Sequence, residues 1–463
     1  MTFSLKYGKI TVEDFDNLAI IMARGKTVTE NSVVRFTQAL AAELTAEDID
    51  THFEGCIGCG NCGYACAWHL ATNDAKNHPK RRADLLREIY RKTLTTSGRA
   101  MVKLGLSKPV TLADLHELAK MYYRCCTMCG RCGLACPQGV SNRRITQLGK
   151  NALSQADVMP ELIRQIRTNA VEHHHSYGLT FGESLGKAVQ MAAAGEIEVP
   201  IDRKATYFMG CSAIVNSRYP EVIVEGIKLL KQAGIDFTMP SSVIDTGTES
   251  MTTVGDLELG REFVLRLARE ANRLGCKYVI IGECGCDVRT YFVENAEILS
   301  RYGLQPVYFD ALLLDAVKSG RLPLAKLDMT VTYHDPCWTA RLAGYYDIPR
   351  ELLRRCVTNF VEMTPNREMN YCCNGGGGSM RVFPSTDRGV NTRREVSKLK
   401  AVQLALTPAE MVVTPCATCY FSLKDTVEYH EVSMQAGMLA GIVYQSMTAA
   451  LAKNQASKHA EVN

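Results

Sequence analysis

A chain of 463 residues is long enough for roughly two to four domains and a sizeable core, and its 46% hydrophobic content fits a folded globular protein, not a disordered or fibrous one. A formal charge of +4 with only 22% charged residues lacks the clustered Lys and Arg expected of a nucleic-acid binder. Nineteen cysteines, an odd number, argue against a disulfide framework and for thiolates that hold metal.

Residues 1–50 read as an N-terminal helical extension, with one helix expected over Ser32 to Leu44. The opening MTFSLKYGKITVEDFDN has no apolar core of the signal-peptide kind, and no later stretch offers eighteen uninterrupted apolar residues. A cytoplasmic protein is therefore expected, attached to the cytoplasmic face of a membrane only through a partner subunit.

Residues 51–150 carry two runs of one spacing, Cys56-x2-Cys59-x2-Cys62-x3-Cys66 and Cys126-x2-Cys129-x2-Cys132-x3-Cys136. This is the two-cluster ferredoxin pattern, in which three thiolates of one loop wrap a cubane and the fourth ligates the other cluster. It predicts one [4Fe–4S] cubane on Cys56, Cys59, Cys62 and Cys136, and a second on Cys126, Cys129, Cys132 and Cys66. Zinc would use paired CxxC knuckles instead of eight cysteines in this register. Cys125 lies outside the register and reads as a buried thiol. The 59 residues between Cys66 and Cys126 form a helical insertion, with helices expected over Lys80 to Thr93 and Leu112 to Tyr123. The basic run HPKRRADLLREIYRK within it also carries Asp84 and Glu88, and reads as a solvated helix face.

Residues 151–204 read as a helical linker. Its His173 to His175 cannot share one helical face, so solvent-facing imidazoles at a helix end are expected in place of ligation. Beyond it, four short β-branched runs each end at cysteine: ATYFMGC at Cys211, KYVIIGEC at Cys284, MTVTYHDPC at Cys337 and MVVTPC at Cys416. Helix patterns lie between them at Pro220 to Gln232, Leu257 to Leu274, Pro349 to Phe360 and Thr392 to Leu406. The fold class expected is a helical two-cluster ferredoxin domain followed by two α/β repeats with parallel sheets, at 205–326 and 327–450, and a flexible tail at 451–463. In such sheets ligands gather where the strand carboxyl ends meet.

The second repeat is complete: Cys337, then 34 residues, Cys372 and Cys373, then 42 residues, Cys416 and Cys419. Five thiolates from three loops exceed the four that a cubane needs, which leaves either a spare thiol or a cluster of unusual shape. Adjacent cysteines normally point apart. Asn374 and the glycines Gly375 to Gly378 that follow can supply positive φ and bring the backbone against a cluster. The first repeat has lost part of this set. Asp245-Thr246-Gly247-Thr248 stands where the cysteine pair would fall, and Cys284-x-Cys286 replaces the CxxC, with Glu283 in register with Cys416. This half reads as a structural partner to the other.

The motifs YHDPCWTAR (Tyr333 to Arg341), CCNGGGG (Cys372 to Gly378) and VVTPCATC (Val412 to Cys419) together resemble the cysteine-rich CCG domain of heterodisulfide reductases. The order of ferredoxin and two repeats is similar to the fused D-type catalytic subunit of those enzymes, and to the related subunit of the membrane complex that serves dissimilatory sulfite reductase. The resemblance implies a noncubane [4Fe–4S] cluster on Cys337, Cys372, Cys373, Cys416 and Cys419, with Gly375 and Gly376 against it. It also implies cleavage of a small-molecule or protein disulfide, or a trisulfide, by electrons relayed from the cubanes. The partners implied are other subunits of a redox complex, a membrane b-type cytochrome or a flavoprotein. His334 is a candidate proton donor to a departing thiolate. The rival reading is an electron-transfer subunit of a lactate- or glycolate-type dehydrogenase, without disulfide chemistry.

Overall fold

The computed structural model describes residues 31–195, 197–210, 220–379 and 393–462. Cys211, the expected end of the first strand, lies outside them, as do residues 1–30. The chain divides into two compact units, the first within Met1–Gln165, Thr253–Asp256 and Asn374–Leu399, the second within Ile166–Thr252, Leu257–Cys373 and Lys400–Asn463.

The first unit is helical. Its helices Asn31–Glu43, Pro79–Leu94, Leu112–Arg124 and Asn142–Gln155 carry apolar side chains at helical spacing, and Leu86, Ile89, Leu115, Leu118, Ile145 and Leu148 are all buried. Local chemistry starts three of these helices. Pro79 occupies a first-turn position where its missing N–H is no loss, and the His78 ring accepts from Lys80 N. Thr111 and Asp114 form a reciprocal capping box, and Ser141 Oγ accepts from Arg144 N. Gly149 lets two helices approach closely: a Cβ there would lie 2.2 Å from the Tyr122 ring.

The second unit holds two parallel four-stranded sheets of the same topology. The strands are β1 (Tyr207–Met209), β2 (Phe237–Thr238), β3 (Tyr278–Ile281) and β4 (Gln305–Tyr308), then β5 (Leu327–Tyr333), β6 (Val357–Phe360), β7 (Met411–Thr414) and β8 (Gln435–Met438). The orders are β2-β1-β3-β4 and β6-β5-β7-β8. The central strands are sandwiched, and alternate residues serve different cores. Ile280 and Val413 join one large core with Leu229, Leu313, Leu352 and Val443, which come from four helices and both repeats. Val279 and Ile281 face the outer side of the first sheet, and Val412 faces the outer side of the second.

The four runs ending at cysteine are the central strands, and the edge strands are the elements that the residue pattern does not reveal. An edge strand leaves one side of its backbone unpaired, so β4 tolerates Pro306 and β8 accepts Gly437, where a Cβ would meet Met411 Sδ at 2.7 Å. The helix expected through Phe360 ends at Cys356 and gives way directly to β6. The tail expected after residue 450 continues the last helix, Leu439–Val462. His173 and His174 are exposed, but His175 is fully buried, its Nδ1 accepting from the N–H groups of Tyr177 and Leu179.

One buried ion pair fixes the loop after β5. Arg350 makes a bidentate contact to Asp335 (2.7 and 2.8 Å), reaches Glu362 at 2.6 Å, and stacks over the Tyr333 ring. Replacing Arg350 by Met strands the Asp335 carboxylate in the interior. The expected loss is about 3–5 kcal/mol in urea-unfolding stability.

Candidate metal centres

In the first unit the two cysteine runs fold into loops of one shape. Gly58 and Gly60 have φ of +76° and +82°, and Met128 and Gly130 repeat the turn at +57° and +76°. Met128 thus holds a left-handed conformation that a glycine supplies in the other loop. A cavity is lined by Cys56, Cys59, Cys62 and Cys136, so the fourth cysteine of the second run stands with the first three of the first. Burial, then the charges of Cys56 and Cys136, pushes the Cys62 thiol up, against a hydrogen bond from the Lys80 N–H. Burial pushes Cys132 well above the ordinary thiol range, and the charges raising it further are those of Cys129, Cys66 and Cys126. Crowded thiols of this kind ionise together only when a cation or metal draws their charge.

Arg82 supplies one such cation. It is buried, with Nη1 donating to the carbonyls of Asn77 (2.6 Å) and Cys125 (2.7 Å) and Nη2 to Cys66 Sγ (3.4 Å). Met128 N and Thr146 Oγ1 donate to Cys126 Sγ at 3.4 and 3.6 Å. Cys125 is buried, and it is its carbonyl that meets Arg82.

The glycine stretch after the cysteine pair belongs to this unit as well. Its positive φ values fall at Asn374 (+66°), Gly377 (+63°) and Gly378 (+86°); Gly375 and Gly376 do not share them. A Cβ on Gly376 would lie 2.9 Å from the Thr127 carbonyl oxygen, and one on Gly377 would lie 2.7 Å from that of Cys126. Lys150 Nζ donates to the Gly377 carbonyl at 2.6 Å. The bare backbone is thus pressed onto the Cys126–Thr127 loop.

In the second unit, Cys373, Cys419 and His334 present ligand atoms that all lie within 4.8 Å of one another, and all three residues are buried. Cys419 is hydrogen-bonded to both Cys373 and Cys416, which with burial raises it well above the usual range. The same Cys419 contact lowers Cys416 to about 7 against the opposing effect of burial, helped by the backbone N–H of Gly285 at 3.4 Å. Gly285 also marks where the third loop arrives: a Cβ there would lie 3.5 Å from Cys416 Sγ, 3.4 Å from Thr339 Oγ1 and 3.6 Å from Trp338 Cβ. Thr339 and Trp338 belong to the wide turn Cys337–Leu342, which Cys337 opens. Cys337 is partly exposed, whereas Cys372, Cys373, Cys416 and Cys419 are buried.

Residues without sequence signatures complete the surroundings. Lys400 Nζ donates to Asn370 Oδ1 (2.8 Å), and Asn370 Nδ2 donates to His334 Nδ1 (3.1 Å) and to the Asp335 carbonyl. Because that Nδ1 accepts, the imidazole proton sits on Nε2. Burial and the nearby Lys400 charge hold His334 well below its usual range, so the ring is neutral. The sequence signal for Lys400 is present but faint: a lysine on the buried face of a helix, with Ala401 and Leu404 beside it.

The first repeat has the same scaffold with other side chains. Cys284, not Glu283, takes the position of Cys416: both are helix N-caps after the third strand, at φ −143°, ψ 119° and φ −147°, ψ 113°. A tight turn from Cys284 N to Gly282 O absorbs the extra residue that puts Glu283 in apparent register with Cys416. Asp287 then stands where the other repeat has Cys419. It hydrogen-bonds Thr246, and burial raises its carboxyl to about 7. Glu283 instead accepts from Ala440 N at 2.8 Å, and burial beside Asp310 pushes its carboxyl well up.

Residues 52–140 match the 4Fe-4S dicluster domain and residues 331–424 match the cysteine-rich CCG domain. The chain is 26% identical over 440 residues to the Hdr-like menaquinol oxidoreductase iron-sulfur subunit 2 of Archaeoglobus fulgidus, covering 82% of this chain and 77% of that one. It is also 26% identical to the D-type subunit of the dihydromethanophenazine:CoB–CoM heterodisulfide reductase from Methanosarcina mazei, over 84% of this chain and 93% of that one. The EtfAB:quinone oxidoreductase of Syntrophomonas wolfei is 22% identical, over 85% of this chain and 58% of its own length. The chain is therefore an iron–sulfur protein similar to subunits of heterodisulfide-reductase-like redox complexes. No helix among the described residues is long and apolar enough to cross a membrane.

The glycine contacts give a direct test. Gly377→Ala places a methyl into the Cys126–Thr127 backbone and adds about 1–2 kcal/mol of left-handed strain. Iron analysis with low-temperature EPR of the reduced protein is expected to find one [4Fe–4S] signal diminished and the other intact.

Proposed function

We propose that this chain is the catalytic iron–sulfur subunit of a heterodisulfide-reductase-like complex, and that its five-cysteine set is where a disulfide or trisulfide is reduced. The observation that carries this reading is the buried grouping of Cys373, Cys419 and a neutral His334, with Cys416 hydrogen-bonded into it. When bound, two cubanes on the ferredoxin cysteines supply one-electron relay, and a noncubane cluster on Cys337, Cys372, Cys373, Cys416 and Cys419 supplies the two electrons for S–S cleavage. The cavity of Cys56, Cys59, Cys62 and Cys136, and the mutual influence of Cys66, Cys126, Cys129 and Cys132, support the crossed ligand sets.

The protein's own contribution is positioning and a hydrogen-bond donor. Cleaving R–S–S–R′ to two thiols takes two electrons and two protons. His334, with its proton on Nε2 and fixed through Nδ1 by Asn370, can donate a hydrogen bond that stabilises a departing thiolate, and both protons come from solvent on the side of Cys337. Among the five cysteines Cys337 alone is partly exposed, which supports substrate entry on its side. Electrons would come from a partner subunit, a membrane b-type cytochrome or a flavoprotein, on the cytoplasmic side.

A second reading, an electron wire without disulfide chemistry, draws on the similarity to the EtfAB:quinone oxidoreductase and on the burial of four of the five thiols. EPR on anaerobically reconstituted protein separates the two. Oxidation with a candidate thiol present is expected to produce a paramagnetic signal that Cys373→Ala abolishes without disturbing the two cubane signals. Normal cubane spectra with no thiol-dependent signal from any thiol would decide for the wire. With the signal established, His334→Leu is expected to lower kcat for disulfide reduction about 10²-fold at unchanged iron content, the order for loss of one preorganised donor to a developing anion.

A further inference from the structure

We propose that Lys400 is the fixed counter-charge of the five-cysteine centre, and that its ammonium raises the redox potential of the iron–sulfur group those thiolates hold. The inference rests on the assignment of a cluster to this set and adds to it the residue that tunes it.

Lys400 has no solvent exposure. Its Nζ is held by the Asn370 Oδ1 oxygen at 2.8 Å, by Gln403 Oε1, and by Met363 Sδ at 3.7 Å. All three partners are neutral, and among the described residues no carboxylate pairs with it. An ammonium buried among neutral dipoles is unfavourable unless an anion lies close by. Asp335 does not fill that need, because both its oxygens are held by Arg350 and one also accepts from Arg367 N. The sulfurs are where that anion would lie: Lys400 is tied through Asn370 to His334, whose ring nitrogen lies within 4.8 Å of the sulfurs of Cys373 and Cys419, and burial holds the ammonium down at about 7 even against the charges of Cys373, Cys372, Cys419 and Asp335.

Charge, not proton transfer, is the role the geometry gives this side chain. A cluster ligated by five thiolates is anionic, and each electron added deepens that charge in a low-dielectric interior. A cation held by Asn370, the residue that also holds His334 next to Cys373 and Cys419, stabilises the reduced form more than the oxidised one. Its tie to Asn370 also holds it in place as the charge changes. Lys400 is thus a positioning and tuning residue and touches no substrate.

The test is a redox titration followed by EPR on the anaerobically reconstituted full chain, comparing wild type, Lys400→Met and Lys400→Arg. Lys400→Met is expected to move the midpoint of the third centre to lower potential, with Lys400→Arg close to wild type and the two ferredoxin signals unmoved in both. An unchanged or higher midpoint in Lys400→Met overturns the proposal. Should Lys400→Met fail to assemble the third centre, its retention in Lys400→Arg supports the need for charge, and its loss in both variants overturns it. A wild-type protein without any third centre would overturn the cluster assignment itself, a result distinct from a third centre indifferent to Lys400.

Discussion

Thiolates gathered in a buried space repel one another, so each group of them needs donors or cations carried there by other parts of the chain. The structure meets this need repeatedly and by different means. In the first unit Arg82 reaches Cys66 Sγ from the helix Pro79–Leu94, while Met128 N and Thr146 Oγ1 donate to Cys126. In the second, Gly285 N donates to Cys416, and Lys400 is tied through Asn370 to His334, which is grouped with Cys373 and Cys419. Backbone donors suit a ligand loop because they add no bulk, while the buried cations bring charge that no backbone dipole can match. The helices and sheets can be understood as the frame that delivers these groups.

The parts of the frame legible in the residues are those in which the signal is local. Eight cysteines at fixed short spacings announce two ligand loops without reference to the rest of the chain. Central strands such as β3 and β7 are runs of Val and Ile because both their faces are covered. Edge strands carry no such demand, so Pro306 and Gly437 disguise β4 and β8. Partners of the sulfurs are illegible for another reason. Lys400 meets Asn370 across 30 residues, and Gly285 meets Cys416 across 131, so no window of sequence contains either pair. The glycine stretch is a close backbone approach, as its composition implies. Its positive φ lies at Asn374, Gly377 and Gly378, and the surface it approaches is the Cys126–Thr127 loop.

The two repeats carry different side chains on one scaffold. Strand order, N-cap geometry and the Cys284/Cys416 correspondence are retained. Asp287 and Thr246 now hydrogen-bond each other where the other repeat has thiols, and Glu283 turns to Ala440. Carboxyls raised by burial stay protonated more readily than exposed ones, so this pocket carries less negative charge than its acidic residues suggest.

That both repeats contribute to one apolar core couples them mechanically. Leu229 and Leu313 of the degenerate half and Leu352 and Val443 of the other are buried in the same cluster, and the degenerate half supplies the N–H that meets Cys416. Deleting that half would strip the surviving one of its hydrophobic backing. A larger side chain at Leu229 or Leu313 would therefore be felt across the shared interior by the cysteine-bearing sheet, although neither residue lies near a sulfur in the sequence.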